Sequence, residues 1–578
     1  MRVRQRGIDA VVFAALAAAL PSCVGGPEPG AGPRADPPLT PAGQDDSDQP
    51  IRLTYVCGNR FLVANAYSVP VSVTYRVVGT EEEGTVTIAA APADDPAFSE
   101  SLIETRQRGT VELFFNRTRV RTRENGGVPC TPAPPGASLT AAAVADAGAW
   151  SAPMTWPVVA VHLHLLPDGR VLSWGKFGDP QIWNPANNSF TPAPSADLLF
   201  CSGHAFLADG RLHVAGGHID DDHGLPDINL FGATGWTSAT PMQRGRWYPT
   251  NTTMSKGEVV IIGGRDEAGV NVPLPEVWTN GAIRVLTGAS LNLPYYPRAF
   301  LAPNGKLFYA GEDRTTRYLN LASPGKWTTV GQRLFANREY GSAVMYQPGK
   351  VLYAGGGRTT NTAEVIDLNL AKPTWQWTGS MVFARRHHNL TLLPTGEVLA
   401  TSGVAGTAFN DLTKPVHAAE LWSPSSGTWK TLASNAVVRG YHGTSILMPD
   451  GRVLNTGSGD GAGLPPERNA ELFSPPYLFL GARPTITKAP LVVRYARAFR
   501  VLTPNAAAIA KISLIRLGSV THAFDMNQRY QALGFTSDAT GLTVTAPADR
   551  RVTPPGHYML FILNGSGVPS IAKIVQVK

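Results

Sequence analysis

Tyr441 and His442 stand side by side in VVRGYHGTSILMPDGRVLNTG, directly ahead of a strand-turn-strand pattern. Both side chains can ligate a metal, yet neighbours on a regular strand point to opposite faces. A pair serving one ion therefore needs irregular backbone at the strand's entrance. Otherwise it is a packing Tyr beside a buried His. Cys201, in LLFCSGHAFLADGRLHVAGG, and Tyr248, in RGRWYPTNTTMSKGEVVIIGG, precede patterns of the same kind. A thiolate, phenolates and imidazoles brought together suit a redox-active first-row metal, copper in particular. Imidazoles alone would suit zinc equally, but zinc gives no reason to gather tyrosines.

The elements that would gather them repeat along the chain. Seven hairpin signals share one form: LPDGRVLSWG, LADGRLHVAGG, MSKGEVVIIGG, APNGKLFYAG, YQPGKVLYAGGG, LPTGEVLATSG and MPDGRVLNTGSG. Their turn glycines (169, 210, 257, 305, 349, 396 and 451) are spaced 41 to 55 residues apart, the length of a four-stranded kelch propeller blade. Outer-strand Trp signals follow in SPGKWTTV, KPTWQWTG and SSGTWKTL. The seventh repeat has none, but AGAWSAP around Trp150 precedes the first, so an N-terminal strand should close the ring. Counting nine residues back from each turn glycine gives Ala160, Cys201, Tyr248, Tyr296, Tyr340, His387 and His442. A one-residue slip would put His388 in place of His387. A purely structural ring would favour small or aliphatic residues here, at the mouth of a channel where propellers bind ligands.

The chain of 578 residues is long enough for several domains, and 59 Gly, 48 Pro and 16% charged residues suit an all-β protein rich in turns. Residues 1–23 read as a signal peptide: Arg2, Arg4 and Arg6 precede the apolar VVFAALAAAL, too short to span a membrane. LPSC resembles a bacterial lipobox, which would lipidate Cys23, although Pro21 is atypical there and plain secretion stays open. Residues 24–50 are a Pro/Gly/Asp-rich tether, and 51–131 form a small β domain in which Cys57 and Cys130 would pair once exported. A linker at 132–146 leads to the seven-bladed propeller, 147–482, and an Ig-like sandwich, 483–578. The formal charge of +7 is spread thinly, and without a Lys/Arg-rich run or an RNA motif it gives no support for nucleic-acid binding.

These residues resemble the copper radical oxidases, the galactose oxidase and glyoxal oxidase family, over about residues 140–578. The segment with Cys201 resembles that of the family's cross-linking Cys, and RGRWYPTNTT that of its cross-linked Tyr, here Tyr248. GYHGTSILMPDGRVLNTG matches the axial Tyr and first His ligand, Tyr441 and His442; GSVTHAFDMNQRYQAL matches the second, His522. The resemblance implies copper held by Tyr248, Tyr441, His442 and His522, and a Cys201–Tyr248 thioether bearing a radical. It implies Tyr441 as general base, a small aldehyde or alcohol, or a glycan, as substrate, and O2 as acceptor. Galactose oxidase stacks a Trp on its thioether from the loop after the Tyr motif. Here that loop, GGRDEAGVNVPLPEVW, has none near its start. The expected preference is therefore glyoxal-oxidase-like, for aldehyde hydrates or α-hydroxy carbonyls. Tyr296, Arg298, Tyr340 and His388 are candidates to line the pocket, with rim or inter-blade hydrogen bonding the alternative use of Tyr296, Arg298 and His388.

Two further clusters carry less. The loop GGHIDDDHG (His218, Asp220, Asp221, Asp222, His223) could hold a cation, but Asp-rich loops are ordinary on solvated faces. His162 and His164 share a strand face and are expected to pack within the first blade. A non-catalytic cell-surface propeller that binds glycan or protein is the alternative to an oxidase. A binder, however, has no use for a lone Cys facing a Tyr. A monomer is expected, exported as an envelope lipoprotein or secreted.

Overall fold

The computed structural model describes residues 51–57, 59–65, 69–89, 99–115, 118–123, 141–461 and 464–578. Cys23 and Cys130 lie outside them, as does the side chain of Cys57, so the lipidation and disulfide expectations fall outside the described residues.

Seven antiparallel sheets built on four blade strands follow one another; the first is extended to six strands by a C-terminal hairpin, and the last to five by the short strand Met154–Thr155. All seven turn glycines sit at φ between 74° and 94°, a region closed to most side chains, which is why the repeat signal is so legible. The outer tryptophans act between blades. The indole N–H groups of Trp236, Trp327 and Trp429 donate to carbonyls of Ala193, Ala289 and Gly379 on the preceding sheet, at 2.7–2.9 Å. Trp150 does the same to Ala433, at 2.8 Å. Its strand, Ala149–Trp150, pairs with Asn469–Ser474 and supplies the fourth strand of the last blade. The ring is closed by the N-terminal strand, as expected.

The segment ahead of that strand departs from the linker expected at 132–146. Ala141–Ala147 is a seven-residue α-helix. AAAVADA is rich in Ala, the best helix former, but so short a helix holds only by packing. It lies against the 3-10 turn Pro476–Phe479, and its Asp146 pairs with Lys430.

The C-terminal domain is a sandwich of a five-stranded and a three-stranded sheet around Val501, Ile512, Leu514, Val544, Leu560 and Ile562. One hairpin leaves it. Ser519–Thr521 pairs antiparallel with His162–Leu165, the first strand of blade one, in the register His164↔Ser519 and His162↔Thr521. The hairpin is braced by the buried Asp525, whose Oδ1 accepts the N–H groups of Ser519, Asn527 and Gln528 at 2.9–3.0 Å. His522 follows directly at the propeller axis.

Four blades share a buried brace that the sequence pattern did not reveal. Arg246, Arg338, Arg385 and Arg439 are fully buried and pair with Glu276, Glu364, Glu420 and Glu471 on the third strand of their own blades. Each also donates to a carbonyl at the end of the second strand: Gly263, Gly355, Ser402 and Gly457. Each Arg stands two residues before Tyr248, Tyr340, His387 or Tyr441. A buried charge is tolerated only when paired and hydrogen-bonded, so these braces fix the chain just where it enters the axis.

Candidate metal and radical site

The ring counted from the sequence exists, and its backbone is unusual. Cys201, Tyr248, Tyr296, Tyr340, His387 and His442 all lie at positive φ, between 45° and 71°. Non-glycine residues rarely adopt that conformation, and such strain gathers at functional sites. The ring is tied along its backbone: Tyr248 N–H donates to Cys201 O at 2.8 Å, Tyr296 N–H to Tyr248 O at 2.9 Å, and His387 N–H to Tyr340 O at 2.9 Å. His387, not His388, holds the sixth place. His388 is fully buried, packed beside Gly355 and Gly403. It does not line the mouth.

The left-handed residue resolves the adjacency of Tyr441 and His442. A strand would aim them apart, but the reversal at His442 (φ 71°) lays the two rings 3.9 Å apart at 28°. Tyr248 (φ 64°) does the same with Trp247, whose indole lies flat on the phenol at 3.7 Å and 8°.

Four side chains converge. Tyr248 Oη is 2.6 Å from Tyr441 Oη and 3.0 Å from His522 Nε2, and the His442 and His522 rings are 4.5 Å apart. The proton positions follow from the partners. Thr521 Oγ1 donates to Val161 O at 2.9 Å, so at 2.6 Å it accepts the Nδ1–H of His522. His442 Nδ1 faces the carbonyl of Gly459, which can only accept. Both histidines therefore present a bare Nε2 to the centre. That of His522 takes the Tyr248 hydroxyl, and Tyr441 in turn donates to Tyr248. That of His442 is buried without a partner.

Burial pushes the pKa of both phenols well up, holds His442 down at about 4, and holds His522 well below its usual range. Without a cation the site is thus two neutral phenols and two neutral imidazoles. A cation fits this donor set, because it would satisfy the orphaned Nε2 and favour the phenolates. Among the described residues no three His, Cys, Asp or Glu side chains gather to hold a metal, so tyrosines must complete any site. That donor chemistry suits copper better than zinc. Cys201 is buried, free of disulfide, and its thiol lies against Tyr248 and Trp247; burial raises its pKa well above the ordinary range.

The expected pocket residues separate. Tyr340 is half-buried on the side of Tyr441, ring centroids 5.5 Å apart. Tyr296 is buried beneath the site, 4.6 Å from both Tyr248 and His522, with its hydroxyl donating to Ser202 O. Arg298 donates to the carbonyls of Tyr296, Gly341 and His522, so its role here is to hold backbone around the ring. Beside Tyr340, the open side carries His387 of the counted ring and two residues not singled out from sequence, Phe409 and Asn410. Phe409 is 43% exposed and packs 4.9 Å from Tyr441. Asn410 Oδ1 accepts the Tyr441 N–H at 3.0 Å. His387 Nε2–H anchors that loop through the Phe409 carbonyl.

The first-blade histidines and the acidic loop have structural partners. His162 Nε2 accepts the Cys201 N–H at 3.2 Å, and its Nδ1–H donates to His204 Nε2 at 3.1 Å. His204 then donates to Ser519 Oγ at 2.6 Å, and Ser519 to His164 Nδ1 at 2.9 Å. This buried chain holds the amide of Cys201. In the acidic loop, Asp221 pairs with Lys176, Asp222 with Arg265 and the Tyr295 hydroxyl, and Asp220 with His223. Its carboxylates are spent.

Known proteins resemble this chain in sequence and fold. The pattern described as "Glyoxal oxidase N-terminus" matches residues 358–477 and "Galactose oxidase-like, Early set domain" matches 483–577. The chain is 30% identical over 486 residues to a galactose oxidase of Gibberella zeae, covering 74% of this chain and 70% of that protein. It is 27% identical to an aldehyde oxidase GLOX of Vitis pseudoreticulata, covering 72% and 89%. A solved structure titled as a novel fungal alcohol oxidase with catalytic diversity among the AA5 family, in complex with copper, aligns at TM-score 0.69 and 25% identity, over 75% of this chain and all of that one. With its propeller, its C-terminal sandwich and a likeness of this extent, the chain belongs to the galactose oxidase and glyoxal oxidase family of copper radical oxidases.

Proposed function

We propose that this chain is an exported copper oxidase that oxidises a small aldehyde hydrate or primary alcohol by two electrons while O2 becomes H2O2. The observation that carries the reading is the convergence of two bare Nε2 atoms on the hydrogen-bonded pair Tyr248–Tyr441, with the thiol of Cys201 against Tyr248.

Tyr248, Tyr441, His442 and His522 would hold one copper ion. Once bound, the copper supplies one of the two electron equivalents and polarises the substrate oxygen. The chain does the rest. Joining Cys201 Sγ to a Tyr248 ring carbon removes one hydrogen from each, with O2 taking both as H2O2. The resulting thioether lowers the ring's oxidation potential and lets Tyr248 hold the second equivalent as a radical. Tyr441, as phenolate, takes the substrate's hydroxyl proton, and the Tyr248 radical takes a hydrogen atom from its carbon. A primary alcohol then leaves as the aldehyde, and an aldehyde hydrate as the acid.

The preference for a small aldehyde hydrate rests on the RWYP segment, whose wording is closer to glyoxal oxidase than to galactose oxidase, on the match to the glyoxal oxidase pattern, and on the source of the stacked indole. The indole comes from Trp247 within that segment rather than from the following loop. The open side, narrowed by Tyr340, His387 and Phe409 around Tyr441, suits a small substrate. Export rests on the basic and apolar segment at residues 1–23.

The test is peroxide release from copper-loaded protein with glyoxal, methylglyoxal, glycolaldehyde, simple primary alcohols and galactose. Turnover of the dicarbonyls above galactose is expected. Turnover of galactose alone would refute the substrate assignment, and no peroxide from any of them would refute the oxidase.

A further inference from the structure

The loop GGHIDDDHG, read from sequence as a candidate cation site, has a different use in the structure. Its first histidine, His218, is 5% exposed, and its Nδ1 lies 3.1 Å from the indole nitrogen of Trp247. An indole N–H can only donate. His218 Nδ1 is therefore bare and its proton sits on Nε2, which faces Asp221 Oδ1 at 3.9 Å. Asp221 is in turn held by Lys176 at 3.2 Å. The imidazole is fixed from behind by Phe200, ring centroids 5.2 Å apart, and the backbone N–H of His218 donates to Leu198 O at 3.0 Å. This is a built acceptor with one tautomer, aimed at the single polar atom of the indole that covers Tyr248.

We infer that His218 is a positioning residue for the Tyr248 radical, acting through Trp247. This rests on the copper radical reading above. Two effects follow from one hydrogen bond. The bond holds the indole in its parallel stack, at 3.7 Å and 8° from Tyr248, where Tyr295 also closes both rings edge-on at 5.0 and 5.3 Å. It also places an acceptor at the indole nitrogen, which enriches the ring face turned to Tyr248. When Tyr248, a phenolate once copper is bound, is oxidised it gives up one electron, and the electron-poor ring gains from an electron-rich neighbour. The oxidised state is thus stabilised more than the resting one, and the indole and its acceptor keep small reductants from the ring. Without His218 the stack loosens, and Tyr248 recovers an electron from reductants in solution sooner.

The experiment uses full-length, copper-loaded protein with the Cys201–Tyr248 cross-link mapped by mass. The protein is oxidised with ferricyanide, a one-electron oxidant, and desalted. Decay of the radical absorption is then followed in the parent, His218→Leu, His218→Asn and Trp247→Phe. Asn places an oxygen acceptor where Nδ1 stood; Leu leaves none. The half-life should fall about five- to tenfold in His218→Leu, the worth of one buried hydrogen bond, and further in Trp247→Phe. His218→Asn should remain within about twofold of the parent on the same reckoning. A Leu variant as long-lived as the parent overturns the inference. So does an Asn variant that decays as fast as Leu, since a loss common to both is packing alone. Melting curves that superpose for all four exclude misfolding as the cause. A parent that forms the cross-link and no radical band fails at the underlying oxidase reading, visibly apart from any effect of His218.

Discussion

Thr521→Val is the sharpest perturbation of the site that touches none of its four converging rings. The two side chains are nearly the same shape, so packing beside His162 and Val161 survives and only the hydroxyl is lost. That hydroxyl makes two bonds: it accepts from His522 Nδ1 at 2.6 Å and donates to Val161 O at 2.9 Å. Its removal leaves a buried Nδ1–H and a buried carbonyl unsatisfied, each costing about 1–3 kcal/mol. The first cost falls on the site itself. With its proton no longer committed, the imidazole can turn or carry the proton on Nε2, which takes that nitrogen out of the donor set. Partners behind a metal-ligating His are worth about 10- to 100-fold in affinity, and such a loss is expected here. The assay is a copper titration against a competing chelator, run beside a thermal melt of the copper-free protein. A variant that melts lower but binds copper within about twofold of the parent, far short of that range, would refute the reasoning. It would mean that Thr521 supports the fold and does not orient His522.

Further predictions rest on the same geometry. Copper binding should release about two protons per ion near neutral pH, because the buried phenols of Tyr248 and Tyr441 are raised above that range while His442 and His522, lowered, are already neutral. Affinity should therefore strengthen as pH rises, and calorimetry in buffers of different ionisation enthalpy reads the count; zero protons would mean that the phenols stay protonated. Glu471→Gln should cost about 3–5 kcal/mol, since it leaves the fully buried Arg439 uncompensated beside Tyr441. Asp168→Asn, which breaks an exposed pair with Arg170, should cost under about 1 kcal/mol, and denaturant melts compare the two. Tyr441→Phe should lower peroxide release about 10²- to 10⁴-fold by removing the base, with copper still bound.

Much of this architecture was legible because the repeat carries its own geometry. The turn glycines need positive φ, so their spacing marked the hairpins and set the blade count. A fixed offset from them then placed Cys201, Tyr248 and His442 on one ring. What stayed hidden depends on contacts between distant segments. Trp247 was passed over because alternation along a strand would turn it away from Tyr248; the left-handed backbone at Tyr248 brings it onto the phenol instead. The Arg–Glu braces join residues about 26 to 35 positions apart and follow no local period. His388 and His387 are neighbours of one type, and only the path of the backbone decides which faces the axis. Arg298 is open from sequence to two uses, lining the pocket or hydrogen bonding between blades. Three carbonyls around the ring claim it, and no sequence pattern records carbonyl positions. The helix at Ala141–Ala147 was lost in a Pro/Ala-rich stretch, where composition alone cannot separate linker from helix.

The central claim is a copper-bound Tyr248 cross-linked to Cys201 and able to carry a radical. Purified protein loaded with Cu(II) in air, then mildly oxidised, should show a broad near-infrared absorption band. Cys201 should resist alkylation, with the linked 201 and 248 peptides lighter by two hydrogens, and Cys201→Ser should show neither change. Stoichiometric copper with no such band and with Cys201 still open to alkylation would contradict the account. The chain would then be a copper-binding propeller without the radical chemistry of its family.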